Sequence, residues 1–198
     1  MSNNDIKNFR YLDNLIHSGV KEVVLDSDIV LGSDEKSQYL NGIKLDVDDL
    51  AIEGNGHAID AQGITRIFYC TGKNVTIRNI ILKNGFTKEN GGAIYNKSGK
   101  LTITKSTLNN NAAQGWKSSG GAIDNKSGEL TIIESMLTEN TARSDGGAIN
   151  NYEGKLTISE STLNENTSKE DGGAIHNHNE KSFKIKDCKL DNNIPTDY

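Results

Sequence analysis

Four copies of Gly-Gly-Ala-Ile divide the second half of the chain into units of nearly equal length. The copies begin at Gly91, Gly120, Gly146 and Gly172, so that successive starts are 29, 26 and 26 residues apart. Repetition at this period is typical of a solenoid, in which each unit buries its apolar face only by stacking on its neighbour. The repeat therefore predicts an elongated stack of turns around one narrow core.

An alternation of apolar and polar residues follows each copy of the motif. Leu101-Thr-Ile103 recurs at Leu130 and again at Leu156. In an extended chain this alternation puts the two classes of side chain on opposite faces, and the β-branched Thr and Ile favour strands over helices. Short strands with Gly and Asn at the corners predict an all-β parallel β-helix rather than a leucine-rich or helical repeat.

The same frame extends toward the N-terminus, beyond the regular copies. Thr65-Arg66-Ile67-Phe68 aligns with the first Gly-Gly-Ala-Ile, and Ile43 aligns with Phe68 one unit earlier. About six turns follow from this alignment, with residues 20–198 as the coil and repeat units starting near 66, 92, 121, 147 and 173. Residues 1–19 carry apolar side chains at helical spacing, with Ser2 and Asp5 as a capping box and Gly19 as a stop, which predicts an N-terminal helix that covers the first turn.

Two sets of asparagines recur in register with the apolar columns. Because apolar Leu45 and Cys70 occupy the same column as the first set, its asparagines are predicted to point inward and to bond to one another along the stack. These asparagines are therefore predicted to be structural. The predicted ladder residues are Asn96, Asn125, Asn151 and Asn177, and Asn111, Asn140, Asn166 and Asn193.

Charge and composition exclude several functional classes. The net charge of -5 with interspersed Lys and Glu gives no basic stripe, so we expect no nucleic-acid partner. No apolar run is long enough to span a membrane. Cys70 and Cys188 fall about four turns apart, too far for a disulfide, and neither a metal site nor a cofactor is predicted.

The motifs resemble those of known surface proteins. Gly-Gly-Ala-Ile followed by Leu108-Asn-Asn-Asn111, Leu137-Thr-Glu-Asn140 or Leu163-Asn-Glu-Asn166 is similar to the paired GGAI and FxxN motifs of polymorphic outer-membrane adhesins, with Leu in place of Phe. The stretch Ile52–Gly63 resembles the adhesin-like β-helix proteins of methanogenic archaea. The resemblance implies a single right-handed parallel β-helix of the pectate-lyase-like superfamily, at the cell surface or secreted, although Met1–Asp5 lack the features of a secretory signal.

Catalytic signatures of β-helix enzymes are missing from the sequence. The Arg-x-Pro-x-x-Arg element of pectate lyases cannot be present, because the single proline is Pro195. The companions that Asp48-Asp49 and Gly56-His57 would need in a polygalacturonase are also missing. We therefore predict no catalytic residues and a binding or adhesion-type scaffold, with a polysaccharide lyase or glycoside hydrolase as the alternative.

The outward column beside the first asparagine ladder offers candidate ligand-binding residues. Trp116 lies in the one unit that is longer than its neighbours, which predicts an enlarged surface loop. A polysaccharide or a cell-surface protein is the expected partner, and the last turn is predicted either to associate end to end with another chain or to continue into a longer coil. The candidate binding residues are Trp116, Tyr69, Tyr95, Asp124 and His176.

Overall fold

The computed structural model describes residues 7–178 and 182–195. It is a right-handed parallel β-solenoid of about six turns, preceded by one short helix, which confirms the predicted fold. Every strand pairs in parallel with the equivalent strand of the next turn, so three long sheets and one short sheet run along the stack.

Sheets 1 and 2 each contain seven strands. Sheet 1 is formed by β1 (Glu22–Val24), β4 (Ala51–Glu53), β7 (Val75–Arg78), β11 (Lys100–Thr104), β15 (Glu129–Ile133), β19 (Lys155–Ser159) and β22 (Phe183–Lys186). Sheet 2 is formed by β2 (Ile29–Val30), β5 (Ala58–Asp60), β8 (Ile81–Lys83), β12 (Thr107–Asn109), β16 (Met136–Thr138), β20 (Thr162–Asn164) and β23 (Lys189–Asp191).

Sheets 3 and 4 contain the remaining strands. Sheet 3 has six strands and sheet 4 has three. Sheet 3 is formed by β3 (Ile43–Leu45), β6 (Phe68–Cys70), β10 (Ile94–Lys97), β14 (Ile123–Lys126), β18 (Ile149–Tyr152) and β21 (Ile175–Asn177). Sheet 4 is formed by β9 (Phe86–Thr87), β13 (Ala112–Ala113) and β17 (Thr141–Ala142).

Equivalent side chains of successive turns form columns, as the repeat predicts. Ile43 pairs with Phe68, Phe68 pairs with Ile94, and the column continues through Ile123 and Ile149. All five side chains are fully buried. Each such side chain contributes on the order of 2 kcal/mol by leaving water, so the core is a one-dimensional stack in which each turn stabilises the next.

The first predicted asparagine ladder is present at the inner face of sheet 3. The Asn96 Nδ2 donates to Asn125 Oδ1 at 2.6 Å, and Asn125 Nδ2 donates to Asn151 Oδ1 at the same distance. The Asn151 amide in turn donates to Asn177. Each of the first three amides also bonds the carbonyl of the glycine three residues later, which ties the ladder to the corner.

The second predicted ladder follows sheet 2 and also bonds the backbone. The Asn140 Oδ1 accepts from both the backbone N–H and the side-chain amide of Asn111, at 3.1 and 3.0 Å. Asn166 and Asn193 repeat the pattern one and two turns later. These asparagines replace the backbone partners that the chain loses where it leaves each strand.

A serine column completes the inward polar groups. The sequence pattern alone does not identify it as a ladder. The Ser106 N–H donates to Ser135 Oγ at 3.2 Å, and the Ser135 N–H donates to Ser161 Oγ at 3.1 Å. Each hydroxyl donates to the carbonyl two residues before it. One hydroxyl per turn thus satisfies both a donor and an acceptor of the bent backbone.

The helix α1 (Phe9–Ile16) lies over the first turn and buries Phe9, Leu12 and Ile16. Asn8 is its N-cap and accepts from the Tyr11 N–H at 3.0 Å, so the helix starts later than predicted; Ser2 and Asp5 lie outside the described residues. The buried Glu35 also accepts from the backbone N–H groups of Phe9 and Arg10, at 3.2 and 2.9 Å. A carboxylate at this end stabilises the helix through its dipole and its free N–H groups.

Within the described residues, no helix has the length and apolar character needed to cross a bilayer. Cys70 and Cys188 are both free. Burial raises the pKa of the Cys70 thiol to about 12, which keeps it protonated and unreactive at neutral pH.

Candidate functional site

The predicted binding column lies on the outer face of sheet 3, as expected of an outward column, but the middle of the column is buried. Asp124 is fully buried and Asn150 is only 4% exposed, whereas Tyr69, Tyr95 and His176 are half-buried. The column has the predicted register, but its residues are less exposed than an outward column should be. Other parts of the chain therefore cover the middle of this face.

Loops between sheet 4 and sheet 3 provide that cover. The Asn90 Oδ1 accepts from the Ser119 N–H at 3.0 Å, which links the loops of two successive turns. Asp145, in the following loop, accepts from the hydroxyls of Ser119 and Ser144 at 3.3 and 2.9 Å. The loops form a continuous wall along one side of sheet 3, held together by side chains that recur once per turn.

A groove of about 400 Å³ runs between this wall and sheet 3. Asp124 and Asn150 form its floor, and the loops that carry Asn90, Ser119 and Asp145 form one side. We call it the sheet-3 groove. The opposite side consists of Lys126, Tyr152 and His178.

The electrostatics of the floor are set by a carboxylate that is withdrawn from water. Burial raises the pKa of Asp124 to about 6, against the opposing effect of its hydrogen bonds from Asn150 and Asn90. The Asn150 Nδ2 donates to Asp124 Oδ1 at 2.5 Å. This bond fixes the amide, and the Asn150 Oδ1 then has no hydrogen-bond partner among the described residues.

Aromatic rings line the far end of the groove. The rings of His176 and His178 lie 4.2 Å apart, and the Tyr152 ring lies 5.0 Å from that of His178. Burial, together with the neighbouring His176, lowers the pKa of His178. The Lys126 Nζ lies 5.8 Å from the centroid of the Tyr152 ring, so this side offers apolar ring faces beside a cation.

The tyrosines of the column pack together at the opposite end of sheet 3. Tyr69 and Tyr95 meet edge to face with their centroids 5.4 Å apart. Arg66, almost fully buried, lies 5.3 Å from the Tyr95 ring and donates to the carbonyls of Gly91 and Asn90. The repeat does not predict this role of Arg66, because Arg66 occupies the place of a glycine in the repeat.

Trp116 lies on the enlarged loop and is 81% exposed. The next residue, Lys117, lines the sheet-3 groove, so the loop that carries the indole borders the groove. An indole with this exposure makes little contact with the rest of the protein, so a partner that covers it gains a large apolar contact at little cost.

A second depression, of about 550 Å³, lies at the corners before sheet 1. It is larger, but three of its charged side chains pair with each other: Glu129 lies 3.7 Å from Lys100 and 2.7 Å from Lys155. Because these groups already satisfy one another, this depression is the weaker candidate. In residues 7–178 and 182–195, no cluster of three or more His, Cys, Asp and Glu side chains could hold a metal ion.

One comparison with known protein families identifies a related repeat. Residues 160–178 match the Chlamydia polymorphic membrane protein repeat. The matched segment contains both Leu163-Asn-Glu-Asn166 and Gly172-Gly-Ala-Ile175, the motifs that carry the predicted resemblance. No curated protein and no solved structure gives a significant match.

Together the match and the fold define the chain as a β-helix repeat protein that is similar to a family of adhesin-like surface proteins. That family is not enzymatic, which agrees with the prediction that this chain has no catalytic role.

Proposed function

We propose that the chain is a non-catalytic, adhesion-type scaffold that binds a cell-surface partner through the surface around Trp116 and the sheet-3 groove. The observation that carries the proposal is the exposed indole on a loop that borders a groove whose floor is polar and buried. The similarity to a surface-protein repeat supports the same conclusion. Binding by such a surface needs no group that moves a proton or forms a covalent bond.

The loop of Trp116 supports this proposal further. From Phe68 to Ile175 the other units repeat every 26 residues, whereas the unit from Ile94 to Ile123 has 29. The longer unit places a large apolar side chain in water, which is unfavourable for a monomer and favourable for recognition. The rest of the coil then serves to hold the loop rigidly relative to the groove.

Binding to a glycan array and to intact cells tests the proposal, with Trp116→Ala as the variant. Met136→Ala is the matched control, because Met136 is also an exposed apolar side chain, 46% exposed, but lies in sheet 2. We expect wild type and the control to bind equally, and Trp116→Ala to lose at least tenfold in affinity. Equal binding by all three proteins would contradict the proposal.

A further inference from the structure

We infer that two copies of this chain associate through their last turns, with β22 of each copy pairing antiparallel with β23 of the other. The partner is a second copy of the chain, and the product is a closed two-fold dimer. The inference goes beyond the proposed function and does not depend on it, because Trp116 lies between β13 and β14, away from the last turn.

The last turn leaves one edge of two strands without a neighbour. β22 and β23 end sheets 1 and 2, and within the described part of the chain no strand follows either of them. The Lys186 carbonyl accepts from the Glu160 N–H at 3.1 Å, and the Lys189 N–H also bonds the preceding turn. Because alternate residues of a strand direct their N–H and C=O groups to opposite neighbours, those of Ile185 and Leu190 point out of the stack.

The apolar columns of the core lose their cover at the same place. Ile158 and Leu163 of the preceding turn are fully buried. Their successors are less protected: Ile185 is 41% exposed, and Leu190 is half-buried. A second chain over this end would cover both side chains, so contact there is favourable.

The opposite end of the coil is closed to the same pairing. The helix α1 lies over the first turn and buries Phe9, Leu12 and Ile16. Lys7 also pairs with Ile29, at the first strand of sheet 2. The last turn of one copy therefore has no free edge to meet on the first turn of another. Association through like ends stops at two copies, whereas head-to-tail stacking would produce a filament.

The corner between β22 and β23 sets the register of the pair. A two-fold axis through this corner, midway between Asp187 and Cys188, places Ile185 opposite Leu190 of the second copy. Both residues direct their N–H and C=O groups across the junction, as a hydrogen-bonded pair of an antiparallel ladder requires. The chain advances along the stack as it passes the corner, so the axis sets the lower strand of one copy against the higher strand of the other and keeps their spacing constant.

Charges on the outer faces of the two strands are complementary in this register. Lys184 and Asp191 lie on the outward sides of β22 and β23, and the axis brings each opposite the other residue of the second copy. Lysines on an edge strand oppose pairing unless the incoming strand neutralises them, and Asp191 does so. Lys186 and Lys189 also face each other, but carboxylates lie 3.5 and 2.6 Å from their Nζ atoms and reduce the repulsion.

Sedimentation equilibrium of the full chain, at concentrations up to about 1 mM to include weak pairs, tests the inference. We expect a monomer–dimer equilibrium for wild type. Lys184→Asp and Asp191→Lys should each raise the Kd of the dimer by about tenfold or more, because each sets like charges opposite one another. The double variant should restore the wild-type Kd. Lys44→Asp is the matched control, because Lys44 is an exposed lysine of β3; its Kd should equal that of wild type.

Cys188 tests the geometry directly. Paired strands lie about 4.8 Å apart and successive residues about 3.3 Å apart, so the two Cys188 Cα atoms of a dimer lie about 6 Å apart, which a disulfide spans. Diamide, which is reduced to its hydrazine as the two thiols join, should link wild-type chains in pairs. Cys188→Ser should abolish the link although the buried Cys70 remains, and Lys184→Asp should slow it.

Three results would overturn the inference: a monomer at every concentration, which would leave this end to a different occupant; species larger than a dimer that grow with concentration; or a dimer whose Kd the charge reversals do not raise and restore in this pattern. None of these results bears on the proposed function, which the binding of Trp116→Ala to arrays and cells tests separately. Conversely, loss of the role of Trp116 would leave the dimer unaffected.

Discussion

Replacement of Asn140 by Ala is expected to be among the most destabilising substitutions in the coil. Asn140 is fully buried and makes four side-chain hydrogen bonds, two to Asn111, one to the Leu108 carbonyl at 2.9 Å and one to Asn166 at 2.9 Å. The substitution leaves the Asn111 backbone N–H without its partner, at about 1–3 kcal/mol, and removes three further bonds worth about 1 kcal/mol each. The free energy of unfolding should fall by about 4–6 kcal/mol.

Urea unfolding followed by circular dichroism measures this change, with Asn164→Ala as the control. Asn164 occupies the outward side of sheet 2, and its side chain makes only exposed hydrogen bonds, donating to Glu165 and accepting from Asn192, so the control should lose less than about 0.5 kcal/mol. If both variants lose the same free energy, the ladder does not stabilise the coil and the reasoning fails.

Asn140→Asp provides a second test in which the shape is kept. Its carboxylate can accept from Asn111, but its other oxygen would face the oxygens of Leu108 and Asn166. Burial beside these acceptors should raise the pKa of the new carboxyl group, so the variant should be more stable at about pH 4, where it is protonated, than at pH 7. Stability that does not depend on pH relative to wild type would contradict this account.

Four further changes follow from other features. The folded-state pKa of Asp124 is raised to about 6, so its ionisation should lower the free energy of unfolding by on the order of 3 kcal/mol between about pH 4 and pH 7. Urea titrations of Asp124→Asn should show that this pH dependence is lost; an unchanged pH dependence would contradict the reasoning. Glu139→Asn should raise stability by up to about 1 kcal/mol, since Glu139 has a left-handed φ of 56° that Asn tolerates better; a loss would refute the reasoning. Glu35→Ala should lower the free energy of unfolding by about 2 kcal/mol, because it removes the cap of α1. Amide exchange should then increase in the helix before it increases in the coil; a uniform increase would argue against a local cap. Ile185 points toward the core of the last turn yet is 41% exposed, so sedimentation equilibrium should show self-association that Ile185→Ser weakens; a mass independent of concentration in both proteins would rule this out.

The repeat made the solenoid predictable from the sequence. The strand register from Leu101 to Leu130 and Leu156 follows directly from matching motifs, because in a stack each unit contacts only its neighbours. The inward direction of Asn96 was predictable for the same reason, since Cys70 occupies the same column. Periodicity is sufficient where the contacts repeat.

The features that escaped prediction depend on contacts that occur once. Glu35 caps α1 from 25 and 26 residues away, in a loop that has no copy elsewhere in the chain. Asp124 belongs to an outward column, and its burial results from loops whose path the motif does not specify. Arg66 fills a glycine position, and only the structure shows that the carbonyls of the next turn satisfy it.

The central claim is that the chain binds its partner without changing it chemically. The most direct measurement is mass spectrometry of a mixed oligosaccharide pool, including oligogalacturonides, in the protein-bound and free fractions after incubation with the purified protein. We predict that the oligosaccharides in the bound fraction are recovered intact and that no shortened or unsaturated product forms. Release of unsaturated or newly reducing sugar would contradict the claim.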